Sequence, residues 1–468
     1  MTLRFVLNGE PAHADDAEPT MSLLGWLRAS GRTGTKEGCA EGECGACAVA
    51  LVRRDAEGRV YYESVNSCLV PLGSVAGQQV VSVEGVAQGD GTLHPVQAAL
   101  VEHGGSQCGY CTPGFVVSMF AEYHRPGRET FDLDAIGGNL CRCTGYRPII
   151  EAARLLPAAR ADDARTPRAP IDEAREVQTM EARFLRPRTL DALFACMTAH
   201  PGAALVAGGT DLMVGVNQHG ARHDRLIALE GIDALHTIAW APEALTIGAG
   251  VTLSLLAQHL ARQPQAVPLL AQLLPLFSSR LIRNRATLGG NLATASPIGD
   301  AAPCLLALDA ELVLARADAT RRVPLSAFFL DYRRTALSSG EIILAVRVPL
   351  PAPPIARFYK VSKRVLDDIS IVACAFALAL DENGRIAHLS IGCGGIAATP
   401  CLAEEASARA LGQPLDDATL HRVRPALEAL GTPMSDHRGS AAYRRAMLGR
   451  LLEKFWHEAR AQRDQERT

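Results

Sequence analysis

The chain has 468 residues, of which 48% are apolar and 21% are charged, and its formal net charge is -3 at pH 7. This length suggests roughly three domains, and the near-neutral charge gives no electrostatic reason to expect nucleic acid or an anionic membrane as partner. No window approaches about 18 uninterrupted apolar residues, and the N-terminus does not read as a signal peptide. We therefore expect a cytoplasmic protein with reduced cysteines, because disulfide frameworks are typical of short secreted chains.

Residues 1 to about 86 are strand-like and glycine-rich, and they contain the first of two cysteine groups. Asn8-Gly9 after an alternating run predicts a β-hairpin. The spacing C-x4-C-x2-C with a distant fourth cysteine is that of a plant-type 2Fe-2S cluster. A zinc site is the alternative, although three cysteines within nine residues favour the cluster. The predicted ligands are Cys39, Cys44, Cys47 and Cys68, and glycines 38, 42 and 45 are expected to adopt positive φ and to let amides point at sulfur.

From Pro95 to Leu156 the pattern is helical, and it carries a C-x2-C followed downstream by a C-x-C. The cysteines of this second group are Cys108, Cys111, Cys141 and Cys143. Each pair precedes a threonine and a proline that predict the start of a helix. The partial positive charge at a helix N-terminus favours thiolates and an anionic cluster. We therefore predict a second iron-sulfur cluster between two such turns in a small helical bundle.

Three histidines flank the second group: His94, His103 and His124. None has a partner three or four residues away on a helix. We expect core or solvent-facing roles for them and no metal site.

Two elements in the middle of the chain are of a kind that binds nucleotides. The run ALVAGGTDLMVGV is an apolar strand broken by a turn whose backbone amides could meet phosphate oxygens. The run IRNRATLGGNLATASPIGDAAP gathers small hydroxyl and amide side chains before a helix. Taken alone, each is equally well an ordinary glycine turn or an ordinary capped helix.

The motifs GCAEGECGACAV and QCGYCTPGF…NLCRCTGYRPI together resemble the iron-sulfur region of the xanthine oxidase family of molybdo-flavoenzymes. The two middle elements resemble the FAD domain of the same family, in the same order. The resemblance implies an α+β multidomain fold. Its expected parts are a β-grasp ferredoxin-like 2Fe-2S domain (1–84), a four-helix-bundle 2Fe-2S domain (85–160), a linker (161–177), a PCMH-type α+β FAD domain (178–350) and a C-terminal α+β subdomain (355–465).

The same resemblance implies the residues that contact FAD. A pyrophosphate loop is expected at Leu205, Val206, Ala207, Gly208, Gly209, Thr210, Asp211 and Leu212. Other contacts are expected from Phe277, Thr287, Asn291, Thr294, Asp300, Ile343 and Lys360, of which Lys360 would lie at the flavin. The resemblance also implies that Asp367 and Asp368 lie on a loop that borders the nicotinamide side of the flavin, although a solvated acidic loop is the commoner case for such a pair and their role is left open.

The family further implies an electron-transfer subunit of the xanthine dehydrogenase type. It would carry two 2Fe-2S clusters and FAD, and would pass electrons from xanthine or hypoxanthine to NAD. The sequence ends at Thr468 without the molybdenum domain of single-chain relatives. A separate molybdopterin subunit is therefore expected as partner, in a heterotetramer of two small and two large chains. The alternatives are an aldehyde or N-heterocycle as substrate, oxygen or a quinone as acceptor, and an accessory iron-sulfur flavoprotein without a catalytic partner.

Overall fold

The computed structural model describes residues 3–15, 17–55, 57–87, 90–159, 163, 165–167 and 183–466. The predicted linker, 161–177, lies almost entirely outside the described residues. The chain divides into two compact units, and the boundary runs through the helix Leu190–Ala199. The first unit is Met1–Arg188, Cys196–Gly231 and Ser278–Ala286, and the second is Thr189–Ala195, Ile232–Phe277 and Thr287–Thr468.

The first unit begins with a five-stranded mixed sheet. Asn8 and Gly9 have φ of 56° and 89°, so they form the predicted hairpin turn. In spatial order the strands are Glu10–His13, Arg4–Leu7, Gln79–Val81, Ala48–Arg54 and Val60–Asn66. The helix Leu23–Ala29 is capped by the Ser22 side chain and buries Leu23 and Leu27 in the core beside this sheet. A sheet with one such helix is the predicted β-grasp arrangement.

A helical layer follows in the same unit. Its α-helices are Pro95–Glu102, Thr112–Tyr123 and Arg147–Arg154. The central helix, Thr112–Tyr123, is buried almost throughout and supplies Phe115, Phe120 and Tyr123 to the core. In place of the fourth helix of the predicted bundle there is a single 3-10 turn, Leu133–Ile136, followed by Gly137 and Gly138. A Cβ on Gly138 would lie 2.5 Å from the Ser279 side chain, so this position is closely packed.

The first unit also contains a three-stranded parallel sheet, in the order Phe184–Leu185, Leu226–Ala228 and Ala204–Val206. The helix Leu212–His219 connects the last two of these strands and ends at Gly220 in the left-handed conformation. A short helix, Arg280–Arg283, completes the unit. The loop between Val206 and Leu212 thus joins the end of a strand to the start of a helix.

The second unit contains two larger sheets. The first sheet has the strand order Ala319–Pro324, Glu311–Arg316, Ile342–Pro349, Ala244–Gly248 and Ile238–Ala241. The second has the order Ile355–Val361, Val372–Leu380, Ile386–Gly394 and Cys401–Leu402, and a small pair is formed by Phe329–Asp331 and Arg334–Thr335. The helices are Leu253–Leu260, Pro268–Leu273, Leu288–Ala293, Ala301–Ala307, Glu404–Ala410, Asp417–Glu428 and Ala441–Glu466.

The core of the second unit lies between its four-stranded sheet and its C-terminal helices. Phe376 stacks on Phe455 with ring centroids 4.7 Å apart, and Trp456 is fully buried beside them. These mixed sheets and helices confirm the predicted α+β class. Within the described part of the chain, none of the helices combines the length and apolar character needed to cross a membrane.

Candidate iron-sulfur and flavin sites

The first cysteine group comes together where two strands start and end. Cys47 directly precedes the strand Ala48–Arg54, and Cys68 lies in the 3-10 turn after Val60–Asn66. Because Ala48 pairs with Asn66, the two sulfurs lie 3.4 Å apart. Cys39 and Cys44 form the other pair, with the Cys39 amide nitrogen 3.4 Å from Cys44 Sγ.

The loop that carries Cys39 and Cys44 depends on glycine for two different reasons. Gly42 and Gly45 have φ of 89° and 64°, as expected. Gly38 was expected to have positive φ as well, and that expectation is wrong. A side chain is excluded there by space, since a Cβ on Gly38 would lie 2.7 Å from Cys44 Sγ. The backbone therefore wraps tightly around the sulfurs.

The sulfurs of this group polarise one another. The hydrogen bond from Cys44 lowers the pKa of Cys39 to about 5, and amides of the loop act in the same direction. The neighbouring thiolate raises the pKa of Cys44, and likewise Cys47 raises that of Cys68. The Glu41 amide also lies 3.5 Å from Cys39 Sγ. Four convergent sulfurs with amide donors fit an anionic cluster, which such donors stabilise.

The second group is assembled from two loops, and each loop contributes one cysteine to each sulfur pair. Cys108 is hydrogen-bonded to Cys143, and Cys111 to Cys141. Cys111 is the N-cap of the helix Thr112–Tyr123, as the sequence predicted. Burial and, to a lesser extent, the hydrogen bond with Cys141 raise the pKa of Cys111 to about 12.

Polar groups of the second loop point at Cys141. The Thr144 hydroxyl lies 3.1 Å from Cys141 Sγ, and the Thr144 amide lies 3.5 Å from it. Cys108 and Cys143 are exposed, whereas Cys141 is buried. The four thiols and these donors fit a second cluster with one side open to solvent.

The two cysteine groups touch each other through backbone. The Leu140 amide donates to the carbonyl of Cys44 at 3.0 Å, and Leu140 is bonded to Cys141. The Asn139 side chain donates to Gly45 O at 3.1 Å. A Cβ on Gly114 would lie 2.1 Å from that same oxygen, so only glycine fits. Sequence spacing indicated two sites but not this contact, which joins residues about 95 positions apart.

The loop predicted to hold pyrophosphate lies in the first unit, at the strand-to-helix connection between Val206 and Leu212. Gly208 and Gly209 are buried, and Asp211 is the exposed N-cap residue of the helix. Amides at a helix N-terminus that follow a glycine turn favour phosphate. This part of the predicted flavin site has a suitable backbone.

The remaining predicted FAD residues lie in the second unit. Thr287 caps the helix Leu288–Ala293 through a 3.0 Å hydrogen bond from Gly290, and Thr294 Oγ1 donates to Gly290 O. The side-chain oxygen of Asn291 is buried and has no hydrogen-bond partner among the described residues, so it is available to a donor of a ligand. Phe277 is half-buried, and Ile343 is buried in the strand Ile342–Pro349.

Two of these residues pair with each other. Lys360 Nζ lies 2.8 Å from Asp300 Oδ2, and both side chains are less than a tenth exposed. Lys360 also donates to the carbonyl of Leu276, and Ser370 donates to the other oxygen of Asp300. The pair neutralises the charge of Lys360, a relation that the sequence did not indicate.

The acidic loop differs from its expectation. Asp367 is 6% exposed and has φ of 50°, so it is buried and not solvated. Asp368 accepts the Arg364 amide at 2.7 Å, and these backbone contacts hold its pKa below the ordinary value although burial opposes them.

Two of the flanking histidines meet inside the helical layer. His94 caps one helix and His124 ends another, and their Nε2 atoms lie 3.2 Å apart with Asp163 Oδ2 at 3.7 and 3.8 Å. These three atoms could surround a cation. However, His94 Nδ1 accepts the Val96 amide, which places the ring proton on Nε2 and removes the lone pair that a metal needs.

The histidines therefore form a buried neutral pair, so the structure selects the core role from the two roles expected for His94 and His124. Burial lowers the pKa of each to about 4. The sequence did not predict the contact between His94 and His124, because the two residues flank different helices.

Comparison with known proteins identifies four domain families in order along the chain. They are a 2Fe-2S iron-sulfur cluster binding domain (5–72), a [2Fe-2S] binding domain (82–154), the FAD binding domain in molybdopterin dehydrogenase (178–351) and the CO dehydrogenase flavoprotein C-terminal domain (357–459).

Among curated proteins, the xanthine dehydrogenase of Emericella nidulans is 32% identical over 98% of this chain and 39% of its own length. Aldehyde oxidase 1 of Oryctolagus cuniculus is 30% identical over 97% of this chain and 39% of its own length. The chain thus spans about two fifths of these curated relatives.

Among solved structures, a chain of Cu,Mo-CO dehydrogenase is 28% identical, with a TM-score of 0.56 over 60% of this chain and 97% of that chain. Quinoline 2-oxidoreductase from Pseudomonas putida 86 is 25% identical, with a TM-score of 0.55 over 60% of this chain and 98% of its own. Taken in order, the four domains fit the iron-sulfur and FAD chain of the xanthine oxidase family of oxidoreductases.

Proposed function

We propose that this chain is the electron-transfer subunit of a xanthine dehydrogenase. It would receive electrons from a separate molybdopterin-binding subunit that hydroxylates xanthine or hypoxanthine, and would deliver them to NAD. The eight paired cysteines would hold two 2Fe-2S clusters. FAD would be held by the loop from Leu205 to Leu212 and by Phe277, Thr287, Asn291, Thr294, Asp300, Ile343 and Lys360. When bound, the clusters carry single electrons and the flavin converts them into a hydride.

The observation that carries this proposal is the hydrogen bond from the Leu140 amide to the Cys44 carbonyl, 3.0 Å long. Cys44 belongs to the first predicted site, and Leu140 is bonded to Cys141 of the second. The two sites are therefore connected by one hydrogen bond and one peptide bond. Two cofactor sites in such contact suit sequential transfer of electrons. An unrelated pair of structural metal sites would have no need of it.

The exposure of the two sites supports the direction of transfer. Cys108 and Cys143 are exposed, whereas Cys47 and Cys68 are buried. We infer that the second site faces the molybdopterin subunit and that the first site leads towards the flavin. The match to nearly all of one chain of Cu,Mo-CO dehydrogenase supports a separate molybdenum subunit.

A second candidate keeps the architecture and changes the substrate to an aldehyde or an N-heterocycle. The similarity to aldehyde oxidase 1 and to quinoline 2-oxidoreductase favours it. The substrate would be selected on the partner subunit, so this chain's residues do not distinguish the candidates.

The test is purification of the native complex, followed by metal analysis and assay. We expect about four irons and one FAD per copy of this chain, a molybdopterin subunit in the complex, and NAD reduction with xanthine. Activity with an aldehyde or quinoline but not with xanthine would select the second candidate. Zinc in place of iron, or the absence of a molybdopterin subunit, would contradict the electron-transfer proposal.

A further inference from the structure

The predicted pyrophosphate loop packs on a buried arginine, Arg285, which lies in the second nucleotide-binding run but was given no role there. The chain segment at Arg285 runs directly beneath Gly208. A Cβ on Gly208 would lie 1.7 Å from the Arg285 carbonyl oxygen, so the loop backbone and this segment are in direct contact. The need for glycine at position 208 therefore comes from this packing.

The Arg285 side chain then turns back to the same loop. Its Nε donates to the carbonyl of Gly208 at 3.2 Å, and its Nη1 donates to Glu230 at 3.2 Å. The side chain is 7% exposed, and Nη2 has no hydrogen-bond partner among the described residues. Arg285 is thus held on two sides and has little freedom to move.

Glu230 is the counter-ion that makes this burial possible. Burial pushes its pKa upward, but Arg285, Arg186 and Arg53 together hold its pKa below the ordinary value. Glu230 therefore stays ionised and fixes the guanidinium of Arg285 under the loop. Arg186 shares the carboxylate at 3.8 Å and donates to Ala76 O, but the contacts to Gly208 belong to Arg285.

Fixing the Gly208 carbonyl also fixes the next amide. In a trans peptide the N–H points opposite to the C=O. The Gly209 N–H is therefore directed away from Arg285. Gly209 itself has φ of 82°, and its carbonyl accepts the Met213 amide at 2.9 Å inside the helix that follows.

We propose that Arg285 is a positioning residue for the dinucleotide loop. Its hydrogen bond to the Gly208 carbonyl sets the 208–209 peptide so that loop amides face the pyrophosphate of FAD. The inference rests on the proposed FAD site. Arg285 acts through the loop and makes no contact with the cofactor itself.

The matched variants are Arg285→Met and Arg186→Met in the native complex. Both remove a buried guanidinium from Glu230, but only the first removes the bond to Gly208. The measurements are the FAD dissociation constant after removal and return of the flavin, the iron content, and the ³¹P NMR shifts of the bound pyrophosphate.

We expect Arg285→Met to raise the dissociation constant of FAD about tenfold and to shift the ³¹P resonances, with iron content retained. Arg186→Met should change the dissociation constant by less than about twofold and leave the resonances in place. Equal effects of the two variants would overturn the inference.

If Arg285→Met also loses iron, Arg285→Lys takes its place, because lysine keeps the positive charge but not the guanidinium geometry. Shifted ³¹P resonances in Arg285→Lys would then support the role, and unshifted ones would refute it. Failure of the proposed function looks different, because the wild-type complex would itself bind no FAD.

Discussion

Each of the two cysteine groups contains four cysteines, but the groups are built in different ways. The first lies at the ends of paired strands, and Cys47 and Cys68 are buried. The second lies in two loops before helices, and Cys108 and Cys143 are exposed. No cysteine of the first group is exposed, since Cys39 and Cys44 are half-buried, whereas two cysteines of the second group are open to solvent. The difference is the basis for our proposal that the second site faces the partner subunit.

The largest effect is expected from replacing a single cysteine of the second group, which leaves the first group intact. Cys143→Ser should abolish electron flow from the purine to NAD while NADH-dependent dye reduction at the flavin persists. The reason is that only the exposed site loses a ligand. Iron analysis should give about two irons instead of about four.

The matched variant is Cys47→Ser, at the buried site. It should also lower iron to about two but destabilise the protein more, since it leaves a buried site without its cofactor. Equal losses of stability in the two variants would remove the distinction between an enclosed and an open site.

The next effect concerns the backbone contact between the sites. Gly114→Ala should destabilise the protein by about 3 kcal/mol, because its Cβ would lie 2.1 Å from Gly45 O. Gly202→Ala is the control, since no atom lies within 4 Å of the added Cβ. Thermal unfolding and iron content measure the change. An unaltered melting temperature in Gly114→Ala would show that the contact is looser than described.

A third effect is a pH dependence of the free energy of unfolding, which arises from the buried histidine pair in the helical layer that carries the second site. The folded-state pKa values of His94 and His124 are about 4, below the ordinary value of 6.5. The unfolded chain therefore binds more protons in this range. The stability from keeping these rings neutral is complete above about pH 6.5 and is lost as the pH falls towards 4.

In His124→Phe, the loss of unfolding free energy between pH 7 and pH 4.5 should be smaller than in the wild type by about 2 kcal/mol. Denaturant unfolding at several pH values measures it, and the half-buried His103 provides the control through His103→Phe. A wild-type stability that does not fall between pH 6.5 and 4.5 would contradict the neutral pair.

The smallest effect concerns the link between the sites. Leu140→Pro removes the amide that donates to Cys44 O and should slow electron transfer between the clusters by about tenfold. Leu140→Ala keeps the amide and should transfer electrons at the wild-type rate. Freeze-quench EPR of both clusters measures the rates. Equal rates in the two variants would mean that this hydrogen bond is not part of the path.

Much of the fold and of the candidate sites could be predicted along the chain. The cysteine spacings, the turn at Asn8-Gly9, the prolines in the first turns of Thr112–Tyr123 and Arg147–Arg154 and the glycine loop before Leu212 are local patterns. The local backbone forms as these residues require. The family matches confirm the fold class. The ligand and FAD residues themselves stay predictions.

What the sequence determined by itself is therefore the kind of site and the local backbone around it, because metal spacing and turn chemistry act over a few residues. Only the tertiary structure decided which distant groups meet: Leu140 with Cys44, His94 with His124, Lys360 with Asp300, and Arg285 with Gly208. These contacts depend on how packed cores bring separate elements together. No periodicity or spacing in a single sequence encodes that arrangement.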